Sequence, residues 1–149
     1  MSTFIKGGST TTPFGKREYL RSTRGNKYES YTVAASTVPA KTIDGNTEKI
    51  LQPGTVMAKI TSGGETGKVG PFQAGVADGR QTVANIVGLN DTFLPWQLIE
   101  RDVEIAVMYI GTAVQGWCVE LDAGGLEITL TNTTADAMRS TKGLDVTFK

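Results

Sequence analysis

The chain has no histidine and one cysteine among its 149 residues. Without histidine there is no Ser-His or Cys-His pair and no imidazole metal ligand. One thiol, Cys118, permits no intrachain disulfide. It sits in the strand-like run Gly116-Trp117-Cys118-Val119 and reads as a buried, inert side chain, because a reactive thiolate needs a cationic partner. No apolar run approaches the ~20 residues of a membrane-spanning helix. The beginning, Met1-Ser2-Thr3-Phe4-Ile5-Lys6, lacks the apolar centre of a signal peptide. The protein is therefore expected to be made and used in a reducing cytoplasm, or on a particle assembled there, with no membrane partner.

Charge is balanced overall, with 15 cations and 15 anions, but it is unevenly placed. In residues 1–30 six cations (Lys6, Lys16, Arg17, Arg21, Arg24, Lys27) stand against Glu18 and Glu29. That stretch carries a net +4 and the remaining 119 residues −4. A basic arm on an acidic body points to an electrostatic partner for the arm.

Residues 1–37 read as that arm. Gly7-Gly8-Ser9-Thr10-Thr11-Thr12-Pro13 has neither helical nor strand period. The segment buries too little apolar surface alone to offset its ordering entropy, so it is either a disordered tail or an arm that orders on a partner. Tyr19, Tyr28 and Tyr31 favour the second reading, by strand addition to an exposed sheet edge. Direct nucleic-acid binding is not expected, since the spacing fits no reader motif and +4 is modest. Lys16, Arg17, Tyr19, Arg21, Arg24 and Tyr28 are the candidate partner-binding residues.

The body, residues 38–149, reads as mainly β: a small sandwich or barrel-like domain with short helical turns. Val56, Ala58 and Ile60 alternate with Met57 and Lys59, the period of a half-buried strand. Ser62-Gly63-Gly64 supplies a reversal, Pro71 closes its loop, and Ala77-Asp78-Gly79-Arg80 turns again. The apolar run 83–87 follows. Pro95-Trp96-Gln97-Leu98-Ile99 is ambiguous between a loop and one helical turn. Residues 103–110 form the clearest strand, with Gly111 as a turn and 113–121 as its hairpin partner. Residues 126–131 alternate, 132–140 permit one or two helical turns capped near Thr133 or Thr134, and 144–148 suit a final edge strand.

Chemistry is sparsely supplied. Residues 62–69 approach a phosphate loop, but Ser62 stands where the first glycine belongs and Val69 where the hydroxyl belongs. A polar hairpin turn explains them. Glu100, Asp102 and Glu104 share one face of a strand and could serve hydrolysis or a hard cation; a solvated face opposite Val103, Ile105 and Val107 is the simpler reading. Asn132-Thr133-Thr134 matches a glycosylation acceptor with no secretory context. No enzyme activity and no cofactor are expected. Trp96 and Trp117 divide between core and subunit interface.

The order Pro53-Gly54-Thr55-Val56-Met57-Ala58-Lys59-Ile60-Thr61, a short loop, Gly70-Pro71-Phe72, Asp78-Gly79 and Ile86-Val87-Gly88 resembles the core of the phage lambda-type head decoration proteins. The likeness extends through residues 100–107 and Gly111, spanning about 50–121 in all. Turn glycines and small apolar strands carry it. It implies a capsid-stabilising, homotrimeric protein on the outer surface of the virion. Such a trimer sits at local three-fold positions of the expanded head and bridges major capsid subunits against packaged DNA. The ends depart from the pattern: the arm is basic and aromatic, and 122–149 add a strand-helix-strand tail. The competing reading is a carbohydrate- or ligand-binding β domain of a phage fibre, with Trp96-Gln97 or Gln115-Gly116-Trp117 as platform.

Overall fold

A computed structural model of the chain describes residues 19–149. It is mainly β, as composition and period imply. The strands are β1 (Leu20–Val33), β2 (Lys41–Ile43), β3 (Asn46–Glu48), β4 (Val56–Lys59), β5 (Val69–Pro71), β6 (Ile86–Asn90), β7 (Val103–Ala113), β8 (Val119–Leu121), β9 (Glu127–Thr129) and β10 (Asp145–Phe148); α1 (Asn132–Ser140) precedes the last. Short 3-10 turns occupy Ala35–Thr37, Val83–Asn85, Gln97–Ile99 and Gln115–Trp117.

Five strands close on themselves. β1 pairs with β5, β5 with β4, β4 with β6, β6 with β7, and β7 returns to β1. The β1–β7 ladder is long and antiparallel, with Val33 opposite Val103 and Tyr28 opposite Met108. The β1–β5 closure is a single parallel register, Val33 opposite Val69, with Ala34 N–H donating to Val69 O at 2.9 Å. β10 adds in parallel to β7, Phe148 opposite Ala113.

Alternation divides β4, β6 and β7 between two cores. Met57, Val69, Ile105 and Val107 fill one, with Val33, Leu51 and Leu98. Val56, Ala58, Leu89 and Met108 fill the other, beneath Ala135 and Met138 of α1 and Val146 and Phe148 of β10. β4, expected to be half-buried, is thus covered on both faces up to the exposed Lys59. Burial of each large side chain is worth ~1.5–3 kcal/mol, so the tail 122–149 belongs to the core of the molecule.

Five local expectations meet a different arrangement. Residues 20–33, read as arm, form the longest strand, because Tyr31 and Val33 face the core and β7 offers an equally extended partner. Gly111 is no turn: β7 continues to Ala113, and a Cβ at Gly111 would lie 2.6 Å from Asn26 Oδ1, so glycine admits that side chain. Residues 119–121 consequently pair with β9 instead of returning along β7. The alternating run 126–131 contracts to β9, and the cap of α1 is Thr131, whose side chain accepts from Thr134 N–H.

Residues 62–68 are a polar turn, as expected, and Val69 already belongs to β5. Thr66 N–H donates to Gly63 O, Gly67 N–H to Ile60 O, and β5 follows at once.

Candidate partner-binding face

β1 enters the ring from a fixed point. Tyr19 is 2% exposed, and its hydroxyl donates to Asp91 Oδ1 at 2.6 Å. Burial first, and then the Asp91 carboxylate, push the phenol far above its ordinary pKa. Val114 N–H donates to Tyr19 O at 2.7 Å. Gly54 lies against the ring at φ +87°, where a Cβ would come 3.0 Å from Tyr19 Cβ and 3.2 Å from Trp117 O. Only glycine fits both that conformation and that space. Tyr19, expected on the partner-binding arm, is instead a core anchor.

Past Leu20 the strand bulges. Ser22 faces Thr112 and Lys27 faces Ile110, so five steps along β1 span two along β7. Such a bulge leaves its extra residues outside the ladder. It is held from within: Arg24 N–H donates to Ser22 Oγ at 3.1 Å, Asn26 Nδ2 to Ser22 O at 2.8 Å, and Gly25 takes φ +76° at the tip. Arg21, Arg24 and Lys27 are all exposed on it, and none joins an ion pair among the described residues. Tyr28 follows, 40% exposed. Lys27 escaped the sequence reading of the arm's contact residues, although the charge count included it. Lys16 and Arg17 lie outside the described residues.

The two tryptophans stand apart from this face in the chain. Each belongs to a 3-10 turn or its cap, and each is 49% exposed. Ile99, 48% exposed, lies one turn from Trp96, with Ile99 N–H donating to Trp96 O. The amides proposed as sugar contacts are engaged internally. Gln115 Nε2 donates to Leu130 O and Asn132 Oδ1, and Gln97 Oε1 accepts from Trp96 N–H.

The acidic trio is divided. Asp102 accepts from Lys68 Nζ and from Ala35 N–H at 2.8 Å. Glu100 pairs loosely with Arg101, and Glu104 is exposed on β7. Among the described residues no three His, Cys, Asp or Glu side chains are grouped to hold a metal ion. The buried carboxylate Glu120 is a structural acceptor, taking Thr131 N–H, Thr131 Oγ1 and Thr134 Oγ1. A small pocket lies between Val38, Ile50, Leu121 and Glu127, where Lys41 Nζ meets Glu127 Oε1 at 3.0 Å across its rim.

No helix among the described residues is long and apolar enough to cross a membrane. No protein-family model, no curated protein and no solved structure matches this chain.

Proposed function

We propose that the chain is a capsid decoration protein, seated as a homotrimer on the outer surface of an expanded phage head and bridging neighbouring coat subunits. What carries the reading is the exposed cationic bulge: Arg21, Arg24 and Lys27, without ion-pair partners among the described residues, beside the half-exposed Tyr28. A ring of five β-strands presents it, and the resemblance at residues 50–121 supplies the class of partner. Docking of several subunits at once makes modest contacts sufficient, since the later contacts form at high effective concentration. Trp96 and Trp117 supply the candidate subunit interfaces, because a large half-exposed ring is the commonest anchor of one.

Co-sedimentation with undecorated expanded heads tests the proposal. The triple variant Arg21→Ala, Arg24→Ala, Lys27→Ala removes three exposed charges, each worth ~0.2–1 kcal/mol. Occupancy should fall about tenfold, and its dependence on ionic strength should flatten. Occupancy unchanged by the triple substitution overturns the assignment of this face. A truncation test belongs at residues 1–18, because removal through residue 37 would also take Tyr19 and β1 out of the ring.

A further inference from the structure

The closed ring has one long gap. β1 pairs with β7 in continuous register from Tyr28 to Val33, yet its other edge meets β5 only at Val33. Ala106 shows which residues face which way. Its carbonyl accepts from Asp91 N–H at 2.8 Å and its N–H donates to Thr92 Oγ1 at 3.1 Å, so it turns toward the β6 side. Main-chain groups alternate along a strand, so Val103, Ile105 and Val107 turn toward β1. Their register partners Val33, Tyr31 and Glu29 make the ladder bonds. Tyr28, Ser30 and Thr32 therefore turn their main-chain groups to the opposite edge, the one on which Ala34 N–H reaches Val69 O.

That edge is open at 28, 30 and 32, all of them exposed. It also lacks the usual guards. Edge strands are normally blunted by proline, lysine, a bulge or a short length. Here residues 28–32, Tyr-Glu-Ser-Tyr-Thr, hold no proline and no cation, Glu29 is their one charge, and the last register shift falls between Lys27 and Tyr28, so 28–33 pair with β7 without a bulge. Tyrosine and threonine suit a strand. Arg21, Arg24 and Lys27, without ion-pair partners among the described residues, lie at one end of the same strand.

We infer that residues 28–32 of β1 accept an extended segment of a partner protein as an added strand, and that this segment carries acidic side chains at the end lying over Arg21, Arg24 and Lys27. Main-chain bonds supply the binding and the cations set the register and direction. The inference deepens the decoration reading by giving the partner's chemistry, and it rests on that reading only for there being a protein partner.

The test needs no particle. Eight-residue peptides alternating threonine and valine, with three glutamates at one end or the other, are titrated into the full chain, and amide exchange is followed by NMR. The amides of Tyr28, Ser30 and Thr32 should gain protection. The glutamate peptide of the correct direction should bind at least tenfold more tightly than its lysine counterpart. Ser30→Pro removes an edge N–H without touching the bonds to β7, and should weaken binding at least tenfold. N-methylation of alternate peptide amides should do the same with the protein unaltered. No added protection at these amides, or equal binding of the N-methylated peptide, overturns the inference. Protection that grows with protein concentration alone assigns the edge to a second copy and overturns it as well. Failure here with normal head binding leaves the decoration reading standing, and peptide binding without head binding does the reverse.

Discussion

At the scale of single residues, Tyr19 shows how a side chain marked as surface by its neighbourhood becomes core. Its phenol is enclosed, and its hydroxyl has a carboxylate to donate to, so the polar atom is satisfied where the ring is buried. Tyr19→Phe keeps the ring and removes the donor, leaving Asp91 Oδ1 without that hydrogen bond. Chemical denaturation should show a loss of about 1–3 kcal/mol with an unchanged m-value. Nothing in the string Lys16-Arg17-Glu18-Tyr19-Leu20 distinguishes Tyr19 from Tyr28, because the partner that decides the matter, Asp91, lies 72 positions away. By contrast, the exposure of Arg21 and Arg24 was legible from local pattern: three cations spread over 21–27 with no apolar period cannot all face a core.

At the scale of elements, local signals located several strands of the body, missed β1, and missed some of the pairings. The alternation at 103–110 and 144–148 depends only on neighbouring residues, and both became strands, β7 and β10. Gly111 and residues 113–121 show the limit. A glycine reads as a turn when its neighbours are unknown, whereas here it makes room for Asn26 from a strand 85 positions earlier. The helix is the element whose start depends most on one side chain. Thr131 Oγ1 accepts from Thr134 N–H and donates to Glu120 Oε2, joining α1 to β8. Thr131→Ala should destabilise the protein by about 1–2 kcal/mol, and Thr131→Ser, which keeps the hydroxyl, by much less. Thermal unfolding of the two variants measures the difference; equal losses would mean that the methyl group, and not the cap, matters.

For the molecule as a whole, the ring ties together charges that are far apart in sequence. Asp102 receives Lys68, from the end of the 60–68 turn, and Ala35 N–H, from the turn that follows β1. The Lys68 hydrogen bond foremost, and then the Ala35 amide, hold the Asp102 carboxyl below its usual range. A carboxyl with a depressed folded pKa contributes its full stabilisation above its unfolded value, about 3.9, and loses it as pH falls through the folded one. Lys68 is shifted up by its hydrogen bond to Asp102 first and to Glu65 second, so its share is full below its unfolded pKa and fades only in strong alkali. Asp102→Asn should therefore lower stability at pH 7 and give a shallower decline below pH ~4 than the parent, as measured by unfolding midpoints across the acid range. An acid limb of unchanged steepness would assign the proton uptake to other carboxyls.

The ring behaves, in consequence, as a hoop with a clasp. Its β1–β5 seam rests on the register of Val33 with Val69, and the Asp102 contacts hold the flanking backbone in place. A hoop yields first at its clasp, so the Ala34 amide should exchange with solvent through a local opening of lower free energy than that of Tyr31, whose bond belongs to the long ladder. Acid below pH ~4, where the Asp102 contribution is lost, should widen that difference while the rest of the barrel stays shut, turning a cylinder into a curled sheet before any strand is lost.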